Sequence, residues 1–409
     1  MSRFSSLRHP FTVLIVASIV PLYFYSNCSE SFKAATEFEI SSQCGQKKVV
    51  NQHELFKIIE SNHQKTASHP QIRCPGFFAV IDDDEASNLA HQQKLISQAN
   101  NCNEQFPTGS EPTLPENSQS KDQKIKELIA TVESNNIETW VTEMSDGSQW
   151  PTRYHGSSYA NTVSSWIANE FSELAGDRQD VTVQLVSHSN TQQNSVEVII
   201  QGSDSSNEEY IILGGHLDSI HKQTSNLNPN SRSPGADDNA SGIGTLLEVF
   251  RVLMATHYVP KKTLVFYGYA AEEIGLVGSQ EIAAAYANAE KKVKGVMQID
   301  MAMYSSANPN SIQFVTDYTS ANLTQLATTL SENYLDMSVS TMRCGYACSD
   351  HASWTKYNYP SFMPAEHQVD SSISRIHTTN DIVDSKLDAT YAAKFSQLAL
   401  AFIVAMTYE

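Results

Sequence analysis

From residue 159 to residue 408 the chain alternates between two kinds of pattern. "YANTVSSWIANEFSELA" and "GIGTLLEVFRVLMAT" read as helices, and the β-branched runs "VTVQLVSH", "SVEVIIQG", "YIILGGH", "TLVFYGYAA", "VKGVMQIDM" and "SIQFVTD" read as strands. A last apolar pattern, "LDATYAAKFSQLALAFIVAMTY", reads as a closing helix. Strand and helix alternating in this way indicate one α/β domain around a mostly parallel sheet. There is no internal repeat.

Sheets of this kind place their binding sites just beyond the carboxyl ends of the strands, so groups able to ligate a metal should gather there. They do. His216 and Asp218 follow "YIIL", two positions apart and therefore on one face. Glu272 and Glu273 follow "TLVFYGYAA", and Asp300 follows "VKGVMQI". Asp237 and Asp238, in "PGADDNASG", precede the helix "GIGTLLEVF". Taken singly, the His-Asp pair reads as a surface pair, and the adjacent aspartates suit a helix N-terminus about as well as a site. The adjacent glutamates are harder to dismiss, because a charged pair abutting so apolar a strand needs a partner. Imidazole with carboxylates, and no thiolate, points to a divalent ion such as zinc. Two histidines and several acids exceed what one tetrahedral ion needs, which implies two ions sharing a carboxylate. His377 in "SRIHTTND" is the candidate second histidine.

The ends of the sequence carry other signals. Arg3 and Arg8 precede an apolar run from Phe11 to Tyr25 that is broken by Pro21. This is the pattern of a secretory signal, too short for the roughly 20 residues of a spanning helix. Export to an oxidising compartment makes Cys344 and Cys348 of "CGYAC" a disulfide, with a metal-thiolate pair as the alternative. The other cysteines, at 28, 44, 74 and 102, have no assignable pairing. Residues 107–123, "PTGSEPTLPENSQSKDQ", read as an exposed connector. The expected organisation is therefore a signal peptide at 1–28, an N-terminal α+β pro-region with connector at 29–118, and a catalytic domain at 119–409. With 27 Lys+Arg against 45 Asp+Glu in 409 residues, the formal charge of −18 argues against nucleic acid as a partner.

The strings "GGHLDS", "GADDNASG", "AAEEIGLVGS", "QIDM", "CGYACSDHASW" and "RIHTTND" stand in an order and spacing that resemble the secreted bacterial leucyl aminopeptidases, which are dinuclear zinc exopeptidases. The resemblance runs from about residue 120 onward. It implies a three-layer fold with a mixed, mostly parallel sheet and helices on both faces. It also implies two zinc ions, His216 and Asp300 holding one, Glu273 and His377 the other, and Asp237 bridging them. Asp218 would orient His216, Glu272 would act as general base, and Tyr346 would stabilise the oxyanion beside Ser349, Asp350 and His351. Peptides with a free N-terminus are the implied substrates of an exported, monomeric protein with no stable membrane insertion after signal removal. The alternatives are a single-zinc glutaminyl-cyclase-like enzyme, which replaces the second acid of the pair, and a non-catalytic peptide-binding relative.

In the expected substrate pocket, Met301, Phe314, Met363 and Ile376 are apolar, as suits a leucine-like side chain. Ala365, Val369 and Ser372 stand where aromatic residues are expected, so the pocket should be wider. Glu366 nearby could admit a basic side chain.

Overall fold

The structure, a computed structural model, describes residues 111–112, 118–206, 208–222, 228–305, 308–366 and 374–408, and the backbone of three short strands in the first 51 residues. The rest of the expected signal and pro-region, Cys28, Cys44, Cys74 and Cys102, and the pocket positions Val369 and Ser372 lie outside the described residues. The chain divides into two units, residues 1–77 and 78–409. In the first, β1 (Val13–Leu14), β2 (Glu37–Ser42) and β3 (Lys47–Asn51) pair antiparallel in that order.

The second unit is built on a six-stranded sheet. Its members are β4 (Val181–Val186), β5 (Ser195–Ile200), β6 (Glu209–His216), β7 (Thr263–Tyr269), β8 (Lys292–Gln298) and β11 (Ser361–Phe362), in the spatial order β11-β8-β6-β7-β5-β4. From β11 to β7 the strands are parallel, and β5 and β4 continue the sheet antiparallel. Every residue of β7 is buried, as expected for a central strand covered on both faces. The edge strand β4 has only partly buried and exposed positions instead.

One face of the sheet carries most of the core. Against it lie α2 (Ser134–Ser145), α3 (Ala160–Ala175), α4 (Gly242–Ala255) and α8 (Ala389–Thr407), whose Val141, Phe171, Phe250 and Phe402 join Val198, Ile211 and Phe266 of the strands. The opposite face is covered by α5 (Val277–Asn288) and α7 (His351–Lys356), where Tyr286 and Trp354 meet Val265 and Tyr267. These are the three layers anticipated. Among the described residues α8 is the one helix apolar and long enough to cross a membrane, yet 83% of its most apolar stretch is buried within the fold.

Two expectations are corrected. The run "SIQFVTD" does not extend the main sheet: β9 (Ser311–Val315) pairs with β10 (Ser338–Met342) and β12 (Pro364–Ala365) in a separate three-stranded sheet. The position beside β8 is taken by β11. The connector is also less exposed than its composition suggests. Its last residues open helix α1 (Gln119–Ile129), with Ser118 Oγ accepting from Lys121 N at 3.3 Å and Lys121 buried. Upstream, the Glu111 carboxylate accepts from Ala321 N and Asn322 N, both at 2.9 Å, at the start of α6 (Ala321–Tyr334). A negative charge there complements the helix N-terminus and satisfies donors that have no partner within the helix.

Candidate active site

Three parallel strands end at one level. His216 pairs with Tyr269, Leu217 N donates to Tyr269 O at 2.8 Å, and Ile299 N donates to Gly214 O at 2.7 Å. The close approach requires glycine: a Cβ on Gly214 would lie 2.2 Å from the Tyr269 ring. Side chains just past these three ends therefore converge.

His216 Nε2 lies 3.1 Å from Asp238 Oδ1 and 3.4 Å from Asp300 Oδ1. On the other side, His377 Nε2 lies 2.9 Å from Asp238 Oδ2 and 3.0 Å from Glu273 Oε2. One carboxylate thus presents an oxygen to each of two imidazole–acid groups. Both groups have donor atoms spaced to hold a metal ion. Behind them, Asp218 Oδ1 lies 3.4 Å from His216 Nδ1, and its two oxygens accept from Glu272 N at 3.0 Å and Glu273 N at 3.2 Å. Ser349 Oγ donates to Asp300 Oδ2 at 2.6 Å and in turn accepts from Gln298 Nε2 at 3.0 Å. Gln298 Nε2 also reaches Asp350 Oδ2 at 3.1 Å. His351 sits further back, its Nε2 3.0 Å from the Asp317 carbonyl.

The shared carboxylate is Asp238, not Asp237 as the resemblance implied. The two aspartates lie in an irregular helical turn, Ala236–Ser241, in which Asp238 and Asn239 leave helical dihedrals and neighbouring side chains diverge. Asp237 turns inward, where its Oδ1 accepts from Met303 N at 3.1 Å and its carboxyl group faces Glu366. Burial and then the charge of Asp381 push Asp237 upward. Burial and then Asp237 do the same to Glu366, whose Oε2 accepts from Tyr304 N at 2.8 Å. Glu366 is fully buried, so it is not available to a basic substrate side chain.

The electrostatics of the cluster suit a cation. Burial pulls His216 down, but Asp300, Glu272, Asp218 and Asp238 outweigh it and hold the imidazole well above its usual value. Burial likewise opposes, and Glu273 and Asp238 overcome, for His377, raised to about 9. Burial raises Glu272 well above the ordinary carboxylate range, with the charges of Asp350, Glu273 and Asp300 adding to it. Buried Asp300 Oδ1 and Glu273 Oε1 accept no hydrogen bond. A divalent ion at either group would satisfy these acids and leave the imidazoles neutral, as ligation requires.

Tyr346 sits at the mouth, 40% exposed, in the turn closed by the Cys344–Cys348 disulfide with Cα atoms 6.1 Å apart. Gly345 N donates to Asp317 Oδ2 at 2.7 Å and fixes that turn from below. Partial burial and then the charges of Glu272, Asp238, Asp300 and Glu273 raise the phenol to about 12, so it keeps its proton as a donor. Met363 and Ala365 pack with Val315 and Met342 under the disulfide. Met301 and Met363 are buried, and Ile376 is partly exposed. Phe314, expected in the pocket, belongs to the main core with its ring 6.4 Å from Phe362, because alternation along β9 directs Phe314 and Val315 to opposite sides.

The residues that hold this turn in place ligate nothing themselves. The Arg153 guanidinium is fully buried and donates to Leu217 O at 3.0 Å, Pro234 O at 2.6 Å and Gly235 O at 2.8 Å. Asp381 Oδ1 and Oδ2 accept from Asp237 N at 2.9 Å and Asp238 N at 3.1 Å. Asn239 Oδ1 accepts from Gly242 N at 2.9 Å, and its Nδ2 donates to Ile299 O at 2.9 Å. Asp381 and Asn239 fall inside motifs that pointed to the site; Arg153 falls in none. Elsewhere, a surface concavity of about 560 Å³ lined by Asn308, Asn310, Glu332, Asp336, Met337 and Ser338 contains none of the converging groups.

Residues 195–403 match peptidase family M28, and the chain belongs to that family. It is 34% identical to leucine aminopeptidase 1 of Metarhizium robertsii over 64% of this chain and 67% of that one. With probable leucine aminopeptidase 1 of Trichophyton verrucosum the identity is 32%, over 68% and 75% of the two chains. Among solved structures, LapB from Legionella pneumophila superposes with a TM-score of 0.65 at 28% identity, covering 79% of this chain and 82% of the other. The LapA aminopeptidase of the same organism gives 0.65 at 26%, covering 88% and 85%.

Proposed function

We propose that this protein is an exported zinc aminopeptidase that works with two ions and removes apolar, leucine-like residues from peptide N-termini. One observation carries the reading: Asp238 offers Oδ1 to the His216–Asp300 group and Oδ2 to the Glu273–His377 group. His216 and Asp300 would hold one ion, Glu273 and His377 the other, with Asp238 common to both. Zinc held there supplies a Lewis acid for the scissile carbonyl and lowers the pKa of water. Similarity to proteins named leucine aminopeptidases supports the reaction and the substrate class.

The chain's own groups divide the remaining work. Glu272 accepts the proton of the attacking water and returns it to the departing amine, so no net proton is consumed at the side chain. Asp218 fixes the His216 ring through Nδ1, which lies 3.2 Å from the Asp218 carbonyl oxygen and 3.4 Å from its carboxylate, the arrangement common behind ligating imidazoles. The Tyr346 hydroxyl donates a hydrogen bond to the oxygen that gains charge as the carbonyl is attacked. Met301, Met363 and Ile376 form the apolar wall for the first side chain.

The deciding experiment assays the purified protein on aminoacyl chromogenic substrates, free and N-blocked, with zinc quantified alongside. Cleavage of free leucyl substrate only, with about two zinc per chain, is expected. Equal cleavage of the blocked substrate, or cyclisation of an N-terminal glutamine instead, overturns the reading.

A further inference from the structure

The two imidazole–acid groups differ in one neighbour. Around His216, the ion-pair partners are Asp218, Asp238 and Asp300, all carboxylates. On the His377 side stands a cation. Lys222 Nζ lies 3.4 Å from His377 Nε2 and 3.7 Å from Glu273 Oε2, two of the three atoms that define that group. Its backbone is tied to the same loop, because Lys222 N donates to His377 O at 3.0 Å. Only 17% of the side chain is exposed, so the ammonium faces the acids more than solvent.

We propose that Lys222 competes with the metal ion for the Glu273–His377 position and so sets its occupancy separately from that of the His216–Asp300 position. The inference rests on the two-ion reading above and adds a regulator to it. His377 Nε2 faces Asp238 Oδ2 at 2.9 Å and Glu273 Oε2 at 3.0 Å, where the ion would sit, with the Lys222 ammonium beside it. An ion there would put a divalent charge next to that ammonium. Glu273 Oε2 is shared in the same way, its charge answered by an ammonium until a divalent ion replaces it. Filling this position therefore sets the ion's charge against the Lys222 ammonium, which its four methylenes allow to turn away. Among the described residues no lysine pairs with an acid of the His216 group. Arg153 is the other cation behind the site, but its donors are spent on carbonyl oxygens and it touches neither imidazole.

The test is metal binding, not turnover. The full chain is stripped of metal and titrated with Zn²⁺ against a chromophoric chelator, as wild type, Lys222→Met and Lys222→Arg, with bound zinc counted by atomic emission. Lys222→Met should leave the first equivalent unchanged and tighten the second by about three- to fivefold, the upper size of one partly exposed charge interaction. Lys222→Arg keeps the charge and should stay near wild type. Lys222→Gln replaces the methionine variant if that does not fold. A second equivalent that is unchanged within about twofold, or a first that shifts equally, overturns the competition. A chain that takes up no second equivalent in any variant refutes the two-ion reading itself, a separate result.

Discussion

Asp381 grips Asp238 by its backbone: Oδ2 accepts the Asp238 N–H at 3.1 Å, leaving both Asp238 oxygens free to face the imidazoles. Arg153 takes the carbonyls of Pro234 and Gly235 from the other side, so both residues hold the turn through its main chain. Asp381→Asn turns one of two acceptors into a donor and leaves a buried N–H unmet. The expected loss is about 1–3 kcal/mol in a denaturant melt. Bound zinc should fall with it; undiminished stability and zinc content would show that the turn holds its shape without Asp381.

Glu272 and Glu273 both lean their backbone N–H groups on Asp218, yet only Glu273 reaches an imidazole. Glu272→Gln is expected to retain zinc and lower kcat by at least about 100-fold, the lower range of general-base catalysis. Glu273→Gln should lose part of the zinc, with activity restored in part by adding it. Zinc analysis beside steady-state kinetics separates the two. The reverse pattern would exchange their roles.

Chelation should lower the melting temperature, because the acids and imidazoles that an ion would join are otherwise left to one another. At free zinc a hundredfold above its Kd, the stabilisation amounts to about 2.7 kcal/mol per site. Calorimetry with and without chelator tests this, and an unmoved transition would count against ions at this place.

The Cys344–Cys348 loop is short, so its entropic contribution is only about 2 kcal/mol. Its main effect is expected at Tyr346. Tyr346→Phe should reduce kcat by about 100-fold, as for loss of an oxyanion donor. Replacing both cysteines with serine should lower kcat at temperatures where the melt shows the protein still folded. An unchanged kcat in the folded double variant would mean that Asp317, through Gly345 and Arg343, holds the turn unaided.

The layers of the second unit were legible because strands such as β7 and helices such as α4 carry unmixed patterns. The convergence of His216, Glu273 and Asp300 followed from strand ends, which period-two alternation locates well. The choice between Asp237 and Asp238 was not legible. Adjacent residues in an irregular turn have no fixed periodicity, and the partners that orient them, Asp381 and Met303, are distant in sequence. Phe314 was misplaced for a related reason: its alternation was evident, but which side of β9 faced the core depended on a separate sheet. Arg153 binds only carbonyl oxygens, and such a role leaves no mark in residue type.

The clustered side chains are spread widely along the chain. His216, Asp238 and Asp300 are all present once β8 and the residue pair after it have been synthesised. The Glu273 group waits for His377, beyond α6, α7 and the small sheet. Asp381, which holds the turn that carries Asp238, comes later still, so both triads depend on the one late segment that carries His377 and Asp381. Losing that segment would dismantle both halves of the cluster at once.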